Sequence, residues 1–479
     1  MPDTAVKNGV KQTTEPQLAR DLTVSHASAI VVGTIIGTGI FLVPREMMQA
    51  VGSAKLVYLA WIVGGVLSFL GALTYAELGA MKPVAGGEYV YMRDGYGPVM
   101  GFLYAWTTLL IAKPGSIATI ATGMVRILGT FPSLAWLPKP ALTVPWDISW
   151  AQLLAIVLVL FITFINYIGV KKAGEFQLFF TILKVAIVLG VILVAFAFAH
   201  GGMANFTTTF HEAKGGMVGF MIALVAALWA YDGWNNLNMV AGEIRRPERS
   251  IPIALVAGVG LVAALYMLLN AAVQFVMPAD AVAASGGPAA DAVRIALGAA
   301  AASVFTAAMA FQMLATLNGA TLTGARVPFA AARDGYFVHA LARVHPRYKT
   351  PSASLIFQSV LSIVLILMVG KFQQLFSITL FAEWLFYMLT TSTVFIFRRR
   401  EPDTPRPYKT WGYPVVPVVF ILASATLLCY TFVDNLKFPA FPSHSSWLQP
   451  PLNSLSTLGA LVILAGVPVF YLFKRRSAS

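Results

Sequence analysis

The chain is poor in charge. Of its 479 residues only 11% are Asp, Glu, Lys or Arg, whereas 58% are hydrophobic, with a mean hydropathy of +0.75. Soluble domains carry about a quarter charged residues. No water-soluble fold of this length hides so much apolar surface. Cysteine is nearly absent: Cys429 stands alone, which excludes an internal disulfide and any Cys-rich metal site. Six histidines leave few metal options, and no metal or cofactor is expected. His211-Glu212 lacks the second histidine of a zinc motif, and there is neither a Gly-x-Ser-x-Gly elbow nor a phosphate-binding Gly-Lys-Ser/Thr loop. These absences speak against an enzyme. Soluble, disordered and fibrous classes fall away as well, which leaves an all-α polytopic membrane protein.

Apolar runs long enough to cross a bilayer fall at 25–50, 55–80, 98–129, 150–169, 174–199, 215–241, 251–276, 295–332, 352–369, 372–397, 414–434 and 452–473, twelve expected spans. A polar stretch precedes the first, so it does not read as a signal peptide. The net charge of +13 suggests nucleic acid until the cations are placed. With the N-terminus cytoplasmic, twenty-three of the 33 basic residues fall on the inner side and eight on the outer, leaving Lys113 and Lys184 within spans. That bias predicts cytoplasmic termini and accounts for the charge as topology, so nucleic-acid binding is discarded. The cationic runs 398–400 and 474–476 read as topology anchors beside anionic lipid.

Two spans contain sequences that resist continuous helix. Gly33-Thr34-Ile35-Ile36-Gly37-Thr38-Gly39 places three glycines in seven residues of span 1. Trp229-Ala230-Tyr231-Asp232-Gly233 puts an ionisable breaker in the middle of span 6. A lone glycine cluster reads as close helix packing. Two interruptions at matching positions, each opening a group of five spans, point to a transporter's binding site. Unwinding span 1 exposes the N–H groups of Thr38, Gly39 and Ile40 at a helix start, which suit a carboxylate. It also frees carbonyls near Ile35 and from Trp229 through Ala230 to Asp232, which suit an ammonium. Anion donors beside cation acceptors fit a zwitterion, of which an α-amino acid is the simplest.

The span 1 stretch Gly33–Phe41 resembles the corresponding motif of the amino acid–polyamine–organocation (APC) superfamily. Trp229–Asn235 resembles the span 6 motif of its L-amino acid transporter (LAT) family. Tyr75–Gly79 with Gly86–Tyr89, and Arg398–Asp403 with Arg406–Tyr408 and Trp411–Pro414, agree with it. The resemblance runs from about residue 22 onward. It implies a LeuT-type fold: inverted five-helix repeats over 25–199 and 215–397, two further helices over 414–473, and cytoplasmic tails at 1–24 and 474–479. It also implies sodium-independent amino acid transport by alternating access, often as exchange, in a cell membrane. Thr38 and Gly39 would then bind the substrate carboxylate, and the carbonyls of Ile35, Trp229 and Asp232 the amino group. Trp229 would be the aromatic gate, and Asn235 would tune side-chain selectivity. The cysteine by which heteromeric animal relatives attach a heavy chain is missing from residues 130–149, so no disulfide-linked heavy chain is expected, and the chain reads as a bacterial inner-membrane protein working alone.

Several ionisable residues stand within this frame. Lys184, deep in span 5, reads as the amine that replaces the sodium ion of sodium-coupled cousins and bridges span 1 to span 8; the alternative is a lysine snorkelling to the interface. Asp232 reads equally as a charge near the substrate side chain, admitting cationic beside neutral amino acids, or as a cap on the second half of span 6. Glu77 reads as interfacial and paired with Lys82, and Glu383 as a residue of the outer pathway beside Trp384. Lys113-Pro114-Gly115 suggests a kink in span 3. Asn205-Phe206-Thr207 is a formal glycosylation acceptor that matters only in a secretory pathway. A proton-coupled symporter on the same fold is the alternative function, with coupling through Lys184 or Asp232. A membrane-embedded enzyme and a channel have no supporting motif.

Overall fold

The computed structural model describes residues 18–142, 148–369, 372–435 and 455–477. The expected N-terminal tail lies outside the described residues as far as residue 17, and so do the side chains of Lys474, Arg475 and Arg476. The chain is mostly helical. Helices α1 (Val24–Ile35), α2 (Gly39–Val51), α3 (Ala54–Met81), α4 (Glu88–Tyr96), α5 (Pro98–Thr107) and α6 (Lys113–Leu128) open it. Then come α7 (Trp150–Tyr167), α8 (Val170–Phe198), α9 (Gly216–Ala230), α10 (Asn236–Met239), α11 (Pro247–Val276), α12 (Ala279–Ala284) and α13 (Pro288–Leu297). It closes with α14 (Ala299–Gly324), α15 (Arg326–Arg333), α16 (Ser352–Val369), α17 (Phe372–Arg400), α18 (Val415–Asn435) and α19 (Leu455–Ser477). Among the described residues, seven helical stretches are long and apolar enough to cross a membrane, and four shorter apolar helices accompany them. The protein is therefore a multi-pass membrane protein.

Local sequence accounts for several boundaries. Thr23 and Ser149 open α1 and α7 with capping boxes, closed by His26 and Gln152 respectively. The kink expected at Lys113-Pro114-Gly115 is a wide turn at Thr108–Ala112, where the Lys113 N–H reaches the Thr108 carbonyl five residues back. A proline two positions into the next helix removes one N–H and crowds the preceding turn, and the wider spacing relieves both. Helices α4 and α12 lie between apolar runs where no element was expected, and α13 begins before the run at 295–332. A small antiparallel ribbon, Pro140–Leu142 with Ile148–Ser149, departs from the all-α expectation.

The core packs α3 along α11, α1 between α8 and α11, and α2 against α9. Several polar groups inside it are paired across helices. Asn318 on α14 donates to Gln177 of α8 at 2.8 Å and accepts from Asn166 of α7 at 2.9 Å. Gln177 and Thr181 both donate to the Ala29 carbonyl on α1.

The charged residues near helix ends pair across long sequence distances. Glu77 does not pair with Lys82, contrary to expectation, and is buried rather than interfacial. It takes Arg398 at 2.9 and 2.7 Å and both the N–H and the hydroxyl of Thr410 at 2.7 Å, stapling the segment after α17 onto α3. Lys82 instead lies 3.0 Å from both Asp94 and Glu401. The pair Arg326–Glu243 is wholly buried and bidentate, at 2.6 and 3.0 Å. It ties the turn after α10 to the start of α15. The segment before α1 joins the same place, because Leu22 bridges in parallel to Ile244 with main-chain bonds of 3.0 and 2.7 Å.

Removing one partner of a buried ion pair strands the other, at about 3–5 kcal/mol, whereas replacing both by apolar residues is far less costly. Arg326→Met is therefore expected to lower the thermal midpoint of the purified protein in detergent sharply. The double variant Arg326→Met with Glu243→Met is expected to recover most of that loss.

Candidate functional site

Both interruptions expected from sequence are present, and they face each other. Helix α1 ends at Ile35, residues 36–38 are unwound, and α2 restarts at Gly39. Helix α9 ends at Ala230, residues 231–235 turn without continuous helix, and α10 is a single turn. The second half of span 6 is thus far shorter and more loosely wound than the apolar run suggested. Gly233 has φ +111, a left-handed conformation, and a Cβ there would lie 3.1 Å from the Thr34 main-chain carbon. Only glycine suits that backbone at that distance.

The freed backbone groups have identifiable partners. Thr34 donates to the Gly233 carbonyl at 2.9 Å and so links the two breaks directly. Tyr266 of α11 directs its hydroxyl to the Ile35 carbonyl at 3.0 Å and to the Ala230 carbonyl at 2.9 Å, the last residues of α1 and α9. Lys184 of α8 is wholly buried and does not snorkel. Its ammonium donates to the Gly33 carbonyl at 2.8 Å, to Thr316 Oγ1 on α14 at 2.8 Å, and to the Ile36 carbonyl. Three N–H donors meet three oxygens, and one side chain joins the broken first span to α14. At the restart of α2 the first N–H groups, at Thr38, Gly39 and Ile40, have no preceding helical turn to donate to.

A cavity of about 710 Å³, counting its open mouth, lies between the breaks. It is lined by Ile35, Thr38, Gly39, Trp229, Ala230 and Asp232 of the sequence-derived set. Thr34, Gly37, Ser116, Thr119, Ile120, Met313, Thr316 and Glu383 complete the wall. Ile40 is buried in the core behind it, and Asn235 stands outside the wall. The Asn235 amide donates to Glu88 at 3.0 Å, a carboxyl that also takes Tyr75 at 3.1 Å and Tyr104 at 2.5 Å. Gly39 fits closely here: a Cβ on it would meet Ala230 at 3.0 Å.

One end of the cavity is charged. Asp232 Oδ1 accepts from Tyr387 at 2.8 Å. Glu383 comes within hydrogen-bonding range of Asp232 and 4.0 Å from the Lys113 ammonium. Lys113 makes its close bond, 2.6 Å, to Asn236 Oδ1. Trp384 turns the other way and stacks on Phe420 with 5.9 Å between centroids. Tyr266 and Thr316, which sequence reasoning passed over, carried no distinguishing local signal: a tyrosine and a threonine in apolar runs are ordinary. Glu383 and Lys113 were visible as charges within spans, but nothing in the sequence joined them.

Unwound helices in a membrane interior, around a cavity with helix-start donors at one place and free carbonyls at another, define a solute-transporting class of protein. The amino acid permease family model matches residues 22–463, and the chain belongs to that family, within the APC superfamily and its LAT branch. It is 33% identical to the b(0,+)-type amino acid transporter 1 of Mus musculus, over 87% of this chain and 84% of that one. It is 31% identical to the serine/threonine exchanger SteT of Bacillus subtilis, over 98% and 100%. The large neutral amino acids transporter small subunit 2 of Rattus norvegicus is also 31% identical, over 95% and 81%. The chain is an amino acid transporter and not an enzyme.

Leaving two buried carbonyls without their donor costs about 1–3 kcal/mol. Tyr266→Phe is expected to lower thermal stability in detergent by that amount. Tyr231→Phe, whose buried hydroxyl has no hydrogen-bond partner among the described residues, is expected to change it by less than about 0.5 kcal/mol.

Proposed function

We propose that this chain is a sodium-independent exchanger of neutral and cationic L-amino acids that works by alternating access. The observation that carries the reading is that the two unwound stretches meet across one cavity. The substrate carboxylate lies on the N–H groups of Thr38, Gly39 and Ile40, where the start of α2 directs its positive dipole end. The α-amino group lies among the carbonyls of Ile35, Trp229, Ala230 and Asp232. Trp229 closes over the bound substrate as a gate. The side chain extends toward Asp232, and Asn235 tunes that end from behind, through Glu88 and the turn that carries Asp232.

Lys184 places its amine where a coupling cation would otherwise bridge α1 and α14, and this supports sodium independence. The serine/threonine exchanger among the relatives supports exchange, and the b(0,+)-type and large-neutral transporters support a range reaching from neutral toward cationic substrates. The architecture in this reading is twelve spans in a LeuT-type arrangement. Two inverted five-helix repeats cover 25–199 and 215–397, two more helices lie within 414–473, and both termini are cytoplasmic in a bacterial inner membrane. The chain works without a disulfide-linked heavy chain, since residues 130–149 hold no cysteine.

Purified protein in liposomes separates exchange from the proton-coupled alternative. Uptake that requires internal amino acid supports exchange, whereas uptake driven by a proton gradient into empty vesicles refutes it. A charge-assisted hydrogen bond is worth about 1.5–3 kcal/mol, roughly 10- to 150-fold. Asp232→Asn is therefore expected to reduce arginine uptake at least about tenfold while leucine uptake falls only a few-fold. Equal losses would make Asp232 a backbone cap instead.

A further inference from the structure

The charged end of the cavity holds more than Asp232 alone requires. Glu383, from α17, lines the same cavity and approaches Asp232 within hydrogen-bonding range. Ionised carboxylates only accept hydrogen bonds, so two of them in contact need one proton between them or a cation inserted there. The cation at hand does not fill that role. Lys113 Nζ stands 4.0 Å from Glu383 Oε1 and spends its 2.6 Å bond on Asn236. Tyr387 supplies a neutral O–H to Asp232. Glu88 is fully buried behind Asn235 and takes its hydrogen bonds from neutral donors, the hydroxyls of Tyr75 and Tyr104 and the Asn235 amide, with no ion pair to Lys113 among the described residues. Lys184 is committed to the first break through three oxygens. The two carboxyls and Lys113 therefore leave a place for one further positive charge.

We propose that Asp232 and Glu383 form a receptor for a single positive charge. It is filled by a proton when the bound amino acid is neutral and by the substrate's own ammonium or guanidinium when the amino acid is cationic. This inference rests on the side-chain role given to Asp232 above. With a neutral substrate, one O–H bond on either carboxyl bridges the pair. When a cationic side chain enters, that O–H bond breaks, the proton leaves to water on the side where the neutral substrate was released, and both carboxylates face the incoming cation. Inward movement of one arginine against one leucine thus carries one proton outward, and the exchange is electroneutral. Leucine-for-leucine exchange moves no net proton.

Liposomes containing the purified full chain, leucine and a trapped pH dye, given external arginine, test this. The expected result is internal alkalinisation of one proton per arginine taken up, with an initial rate unaffected by a potassium–valinomycin potential. Glu383→Gln cannot give up a proton there, and its amide donates to Asp232 permanently. In that variant the pH change is expected to vanish and arginine uptake to become faster under an inside-negative potential. Arginine uptake by the unmodified chain without a pH change, and accelerated by that potential, would overturn the proposal while leaving Asp232 as a substrate residue. Failure to carry arginine at all, with leucine exchange intact, would overturn the role of Asp232 and this proposal with it.

Discussion

The structure depends on one constraint: a peptide group uncoiled within hydrocarbon must find a partner, because no water is there to supply one. Residues 36–38 and 231–235 interrupt the helical ladder, and the surrounding spans meet the demand with side chains of modest chemistry. Lys184 and Thr316 hold the Gly33 and Ile36 carbonyls, and Tyr266 spans the ends of α1 and α9. Thr34 crosses to Gly233. The same bonds that make the breaks tolerable also fix where their dipoles point. What stabilises the fold and what shapes the candidate site are one set of contacts.

Charge is distributed by the same logic. Ion pairs close the helix ends, with Glu77 under Arg398 and Thr410 and Glu243 under Arg326, where pairing offsets desolvation and draws distant segments together. In the cavity the pairing is looser. Asp232 and Glu383 stand beside each other with Lys113 turned toward Asn236, an arrangement that structural stability alone would not favour. Unbalanced buried charge is what a site offers to a ligand that brings the balance with it.

Much of this was legible beforehand. Three glycines in Gly33–Gly39 and the Asp232-Gly233 pair announced the breaks, and six of the eight proposed substrate residues do line the cavity. Lys184 was legible as a buried amine because it lies too deep to snorkel. The pairing expected of Glu77 with Lys82 failed for a physical reason. Lys82 is five residues from Glu77, yet pairs with Asp94 and Glu401; near positions on a helix end are weak guides when segments hundreds of residues away can reach the same spot. Asn235, carried over as a residue that tunes selectivity, stands behind the wall, where its amide donates to Glu88, a position no local signal in the sequence announced.

The sequence by itself determined the solvent and the interruptions: long apolar runs demand a bilayer, and glycine or aspartate in mid-span weakens helix whatever packs around it. Tertiary structure alone decided the company those interruptions keep. Tyr266, Thr316 and Glu383 lie on three different helices, and their meaning comes from reaching the two interruptions. Backbone propensity is local and can be read along the chain, whereas hydrogen-bond satisfaction and charge balance are sums over neighbours that only folding brings within reach.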